Sequence, residues 1–297
     1  MGILYAIQDA VAQGVLWGML TLGVYITFKI LDIPDMTCDG SFALGGCVSA
    51  ILLTNGYSPV IAILASILAG MLAGAVTGIL HTKLMIPAIL SGILSMIALY
   101  SINLRVLGGP SQALLGIDTM FTKLMVWTGL SQSNIRLVIG IIIAILAVAV
   151  LYWFFGTEIG SAIRATGNNS YMVRALGCNT NTTIMISLIL SNGLIALSGS
   201  LVSQSQGYAA INMGQGAIVI GLASIVIGEI FLLKKANFAY VLTTVILGSI
   251  VYRIIIAVVL QMGLSTDDLK LLTAIVVAAA LGIPNIKKRL SQKRIPE

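Results

Sequence analysis

The chain has 297 residues, of which 58% are hydrophobic and only 9% charged, with a formal net charge of +6. Soluble domains carry about 25% charged residues, so a mean hydropathy of +1.06 excludes an ordinary soluble protein and places the chain in a bilayer. The basic residues are scattered among apolar runs and one short tail, "IKKRLSQKR" (286–294), a pattern that fits contact with anionic lipid rather than with nucleic acid.

Nine apolar segments follow one another, near 10–31, 40–54, 58–80, 85–104, 136–155, 182–204, 214–233, 236–261 and 268–284. A hydrocarbon core takes about 20 apolar residues to cross. Backbone groups in lipid must be satisfied within the segment, and alternating strand patterns are missing, so each run is expected as a helix. The start, "MGILYAIQDAVAQG", has neither a basic leader nor a small-residue cleavage site and is read as uncleaved. The second segment is short and opens with "LDIPDMTCDGSFALGG" (31–46), where a broken or half-membrane helix fits. Small residues recur in "GMLAGAVTG" (70–78) and "SNGLIALSGS" (191–200), which lets helices approach closely. The expected architecture is therefore all-α: a single domain, 1–297, forming one polytopic bundle of about nine spans.

Placing the polar loop 156–182 in the cytoplasm puts the N-terminus outside and the C-terminus, with its basic tail 285–297, inside. Eleven of the sixteen basic residues then fall on the cytoplasmic side, leaving Arg105, Lys123, Arg136, Arg253 and Lys270 outside, as the positive-inside rule requires.

Ionisable groups within spans are costly and so are candidates for function. Asp35 and Asp39, with Ser41 beside them, suit either a polar lining or hinge of a pathway or simple interface polarity. Asn103 and Arg105 end the fourth span and fit either an outer vestibule or snorkelling at a helix end. Tyr252 and Arg253 suit either a substrate ring and carboxylate or an internal ion pair. Glu229 precedes Lys234 and Lys235, so a helix-end salt bridge or a proton-relay carboxylate are its readings. His81 has no metal-ligand neighbours and is read as interfacial. Cys38, Cys47 and Cys178 have neither disulfide nor zinc spacing. No metal or cofactor site, nucleophile or acid-base pair is expected.

The loop "GTEIGSAIRATGNNSYMVRALGCNTNT" (156–182) interrupts this apolar chain once, near its middle. "EIGSAIRAT" ending at Gly167 and "NNSYMVRAL" ending at Gly177 read as two short helices joined by a Gly-Asn-Asn turn. Ile159, Ala162 and Ile163 share one face of the first, and Tyr171, Met172 and Ala175 one face of the second. Each face is too small to stand alone. Arg164 and Arg174 suit pairing with carboxylates of a partner, and the competing reading is a bare surface loop.

The run from Gly160 through "AIRATGNN" and "RALGCNTN" to "LSNGLIALSGSLVSQ" resembles the coupling loop and following helix of permease subunits in the branched-chain amino-acid and ribose family of ABC importers. Cys178 stands where an aliphatic residue is usual there, and Thr182 or Thr183 where a basic one is usual. "LDIPDMTCDGSFALGGCV", "HTKLMIPAILSGILSMIALYSINLRVLGG" and "IVIGLASIVIGEIF" resemble a subgroup linked with tryptophan- and tyrosine-type substrates. The resemblance implies a multi-pass homodimer in a bacterial cytoplasmic membrane, with separate ATPase subunits and an extracytoplasmic binding protein. It implies that Gly160, Arg164, Ala165, Gly167, Asn168, Asn169, Arg174, Ala175, Leu176 and Gly177 form the ATPase-coupling surface. The sequence holds no phosphate-binding loop of the G-x-x-x-x-G-K-[ST] type, so ATP with magnesium is expected on the partner and no enzymatic activity on this chain. The competing classes are an ion-coupled secondary transporter using Asp35, Asp39 or Glu229, and a membrane scaffold.

Overall fold

Small residues decide how the spans meet. In the computed structural model, which describes residues 2–129, 131–232, 237–262, 271, 273–278 and 282, the helices are α1 (Gly2–Tyr25), α2 (Thr37–Thr54), α3 (Pro59–Thr82), α4 (Ala88–Leu107), α5 (Met120–Thr128), α6 (Gln132–Gly156), α7 (Glu158–Asn168), α8 (Ser170–Ala175), α9 (Thr180–Gln206), α10 (Ala217–Glu229) and α11 (Phe238–Gln261). Two three-residue strands, β1 (Ser111–Ala113) and β2 (Tyr208–Ala210), pair antiparallel with Ser111 opposite Ala210. Among the described residues, seven helices are long and apolar enough to cross a membrane.

Helix α9 runs through the centre and packs against α1, α2 and α3. Its contact with α3 is made by Gly70 and Gly74, one turn apart. A Cβ at either would collide with α9 backbone, at Asn192 for Gly70 and at Leu188 for Gly74. Close approach of this kind replaces the hydrophobic drive that lipid removes. Serines then bond across the contacts: Ser191 Oγ donates to the Gly23 carbonyl and Ser198 Oγ to the Leu16 carbonyl, each at 2.8 Å. Such interhelical bonds contribute about 0.6 kcal/mol apiece in a membrane. The outward faces of α3 and α6 are apolar, with Leu64, Leu68 and Leu72 on one and Ile142, Ile145 and Leu146 on the other, all exposed as lipid contact requires.

The two ends of the bundle are marked by α6. At its N-terminal end, Arg136 Nη1 pairs with Asp9 of α1 at 3.1 Å. At its other end the chain turns into α7, whose Gly167 lies against the Ile30 carbonyl at the end of α1. The last turn of α1 is widened into a π-helix over Ile26–Ile30.

Two connections re-enter the bundle instead of staying at its surface. The non-helical stretch 31–36 carries Asp35 up to Asn192, which lies twelve residues into α9, about 18 Å from its start at 1.5 Å per residue. From the opposite end, 211–216 descends to the start of α2, where Gly214 lies against the Asp39 carbonyl. Irregular backbone at such depth is tolerated only where protein covers it. The second span expected to be broken or half-membrane at "LDIPDMTCDG" is instead one continuous helix from Thr37 to Thr54, and the irregular backbone is confined to 31–36 ahead of it. The same device shortens the seventh apolar segment, expected over 214–233, to the 13 residues of α10. The ninth segment, 268–284, falls largely outside the described residues, as does the tail 285–297, so the described helices do not amount to nine full spans.

Candidate translocation path and coupling surface

Helix α4 buries a stripe at every fourth residue, Ser91, Ser95, Leu99, Asn103 and Leu107. This one-sided seat, mainly on α2, leaves two flanks open. The flank toward α3 holds a cavity of about 340 Å³ walled by Leu44, Val48, Leu72, Val76, Ala98 and Ile102. The one polar side chain among its lining residues, Ser95, is bonded to Thr77 Oγ1 at 2.7 Å. The opposite flank holds a cavity of about 280 Å³ lined by Asp39, Gly40, Met96, Ile97, Tyr100, Ser101, Asn103, Ile211 and Gln215. Polar groups on an open face at membrane depth are expensive against lipid and mark a water-filled or protein-covered surface.

Within that second cavity Asn103 is 1% exposed, and its Nδ2 donates to the Gly40 carbonyl at 3.2 Å. Its Oδ1 has no hydrogen-bond donor. An unmet buried acceptor costs about 1–3 kcal/mol. Asp39 closes the start of α10: Oδ2 accepts from the Gly216 N–H at 2.9 Å and Oδ1 from the Ile218 N–H at 3.0 Å. A carboxylate at a helix N-terminus meets both the free N–H groups and the positive end of the dipole.

Asp35 and Ser41 belong to a separate, buried network. Asn192 Nδ2 donates to Asp35 Oδ2 at 2.8 Å, Ser41 Oγ donates to Asn192 Oδ1 at 2.6 Å, and the Thr37 N–H donates to Asp35 Oδ1 at 2.9 Å. Thr37 then meets Thr77 hydroxyl to hydroxyl at 2.8 Å, so one chain of polar groups ties α2, α3, α4 and α9. Asn192 was legible as an amide inside the apolar run "LSNGL", but nothing in sequence paired it with Asp35.

The remaining candidates lie elsewhere. Arg105 is exposed and lines neither cavity of α4. Tyr252 is buried at 1% exposure between α11 and its neighbours. Arg253 lies on the α1–α11 side of the bundle, its guanidinium 3.9 Å from the ring centre of Trp17, a cation–π contact; it has no ion pair among the described residues. Glu229 pairs with Lys29 of the first span; Lys234 and Lys235 are outside the described residues. His81 Nδ1 meets the Ile86 carbonyl at 2.8 Å. Among the described residues no three His, Cys, Asp or Glu side chains cluster as metal ligands.

The polar loop folds as two helices. Thr157 Oγ1 accepts from the Gly160 N–H at 3.3 Å to start α7, and Asn169 Oδ1 accepts from the Met172 N–H at 3.1 Å to start α8. The joint is the single extended residue Asn169, and the first helix continues one residue past Gly167. Gly167 is needed for contact, since a Cβ there would strike the Ile30 carbonyl; Gly160 likewise abuts the backbone of Phe154 and Phe155. Gly177 takes φ +86° and ends α8. The expected apolar face of α7 is divided: Ile163 is fully buried against the bundle, while Ile159 is 50% exposed. The outward apolar surface is mostly α8, with Tyr171, Met172 and Leu176 exposed. Arg164 is exposed, with Nη2 donating to the Phe155 carbonyl at 2.8 Å and the guanidinium 5.5 Å from the Phe238 ring centre. Arg174 Nε donates to Thr180 Oγ1 at 2.7 Å. Ala165 is half-buried, and Asn168 and Ala175 are exposed.

Seven apolar helices of spanning length among the described residues, with buried irregular segments between them, define a multi-pass integral membrane protein. The family described as "Branched-chain amino acid transport system / permease component" matches residues 6–281, and the chain belongs to it. It is 41% identical over 294 residues to the "Tyrosine transport system permease protein" of Clostridioides difficile (strain R20291), covering 98% of this chain and 96% of that one. It is 32% identical over 277 residues to an uncharacterised protein of Rickettsia prowazekii (strain Madrid E), covering 92% and 95%. A solved structure described as an inward-facing conformation of a metal-chelate type ABC transporter superposes with a TM-score of 0.52 over 96% of this chain and 85% of that one; at 15% identity it bears on the fold alone. The chain is thus the multi-pass permease subunit of an ABC transporter in a bacterial cytoplasmic membrane.

Proposed function

We propose that this permease imports an aromatic amino acid, as part of a complex of two copies of this chain with two ATPase subunits and an extracytoplasmic binding protein. The observation that carries the path is the asymmetry of α4: one flank is apolar, and the other sets Asp39, Ser101, Asn103 and Gln215 on an open face. Such a face needs water or a second copy across it, and two copies facing each other along α4 enclose a path. The 41% identity to a permease named for tyrosine transport supports the substrate class.

The α7–α8 end of the bundle faces the cytoplasm in this reading, and Tyr171, Met172 and Leu176 seat in the ATPase. Motion of α7 passes through Gly167 to Ile30, and from there into the re-entrant stretch that leads to Asp35 and Asp39. The Lys29–Glu229 pair links the same end of α1 to α10, whose other end is capped by Asp39. ATP and magnesium are held by the partner; this chain supplies the path and no cofactor chemistry.

The test is co-purification of the tagged chain in mild detergent together with uptake of labelled L-tyrosine by the cells. Wild type is expected to bring down an ATPase and to accumulate tyrosine, and the Tyr171→Glu, Leu176→Glu double variant to lose both while remaining a folded dimer. Uptake that survives without an ATPase and collapses with the ion gradient would sink the reading in favour of a secondary transporter.

A further inference from the structure

The cavity on the polar flank of α4 carries a one-signed set of groups. Its lining residues include no Lys, Arg or His. Asn103, one of the lining residues, has a buried Oδ1 with no donor among the described residues, and its Nδ2, held by the Gly40 carbonyl, fixes the amide in place. The Asp39 oxygens take one backbone N–H each, at 2.9 and 3.0 Å, and a carboxylate has lone pairs for further donors. An unmet acceptor beside an anion, with no cation among the described lining residues to balance it, matches a ligand group that donates several hydrogen bonds and bears positive charge. A primary ammonium has three donors and no acceptor. Met96 and Tyr100 supply an apolar and aromatic wall for the rest of the ligand, and Ser101 and Gln215 supply neutral donors for a carboxylate.

We propose that this cavity is a recognition site for a primary ammonium group, the α-ammonium of the transported amino acid, with Asn103 as its specificity-determining acceptor. The inference rests on the amino-acid import reading and adds to it which end of the substrate the permease reads. A carboxylate alone would meet Asp39 with like charge and leave Oδ1 of Asn103 unpaired, so discrimination against it is built in.

The experiment uses the full complex in inside-out and right-side-out vesicles, with Ser101→Cys as reporter in a Cys178→Ser background; Cys38 and Cys47 are buried. The rate of modification by a water-soluble thiol reagent is measured with L-tyrosine, with tyramine, which keeps the ammonium and lacks the carboxylate, and with 3-(4-hydroxyphenyl)propionate, which is the reverse. L-tyrosine and tyramine are expected to slow modification and the desamino acid to leave it unchanged. Asn103→Leu is expected to raise the concentration of tyramine needed for protection by about tenfold or more, with unliganded modification and ATPase association as in the parent. Asn103→Gln, which keeps both the amide donor and the acceptor, is expected to retain protection and shows that the site still folds. Equal protection by the desamino acid, protection that is unchanged in Asn103→Leu, or no protection by tyramine would each overturn the inference. Tyrosine uptake and ATPase co-purification on the same preparations report separately on the import reading, so failure of one is distinguishable from failure of the other.

Discussion

The two flanks of α4 have the same backbone, similar cavity volumes and opposite chemistry. The α3 flank is walled by leucine, valine, alanine and isoleucine, and the opposite flank, beside the stretch that leads into α10, by Asp39, Tyr100, Ser101, Asn103 and Gln215. The difference comes from what each neighbour brings. Helix α3 is a full apolar span that offers only side chains, whereas α10 starts deep in the bundle and is approached by irregular backbone that has to be satisfied. Asp39 does that work by taking two of the backbone N–H groups there, and in doing so it sets a carboxylate at the edge of the cavity. Lipid tolerates the first flank and not the second.

The largest effect expected from this contrast is a pair of bulky substitutions. Ser101→Trp fills the polar flank and is expected to reduce uptake to background, while Ala98→Trp, on the apolar flank, leaves it near wild type at equal membrane abundance. Equal loss in both would show that α4 simply does not tolerate tryptophan and would remove the distinction. Thiol accessibility comes next: in the Cys178→Ser background, a charged reagent is expected to label Ser101→Cys about tenfold faster than Ile102→Cys, because thiolate chemistry needs water that lipid excludes. Similar rates would place both flanks in the same medium.

Stability changes should be smaller. Asp39→Ala removes the acceptor at the start of α10 and is expected to cost about 1–2 kcal/mol, read as a lowered melting temperature of the detergent-purified complex. An unchanged melting temperature would mean that water replaces the carboxylate there. Lys29→Ala, at the far end of α10, breaks an ion pair whose lysine side chain is 51% exposed and is expected to cost under about 1 kcal/mol. A larger loss, or uncoupling of ATP hydrolysis from uptake, would make that pair a transmitting contact between α1 and α10.

Much of the α7–α8 pair was legible in the sequence because its signals are local. Thr157 and Asn169 cap helices whatever lies beyond them, and Gly177 ends one because only glycine adopts its φ readily. The role of Arg164 was not legible, since the Phe155 carbonyl and Phe238 ring that hold it come from α6 and α11. The cavity was legible only in part. Asp39 and Asn103 stood out as polar groups in apolar runs, but Arg105, Tyr252 and Arg253 stood out equally and face other surroundings.

Composition and periodicity by themselves determined that the chain is a helical membrane bundle, that a polar irregular stretch leads into its second span, and that residues 156–182 form a helical pair with little apolar face of its own. These follow from the energetics of backbone in lipid and from short-range capping, which act within a few residues. Tertiary structure alone decided that two re-entrant segments meet at Asp39, that Asp35 binds Asn192, 157 positions away, and that α4 has one dry flank and one polar flank. Helix periodicity gives a residue's angle about its own axis, and the neighbour at that angle is chosen by packing of the whole bundle.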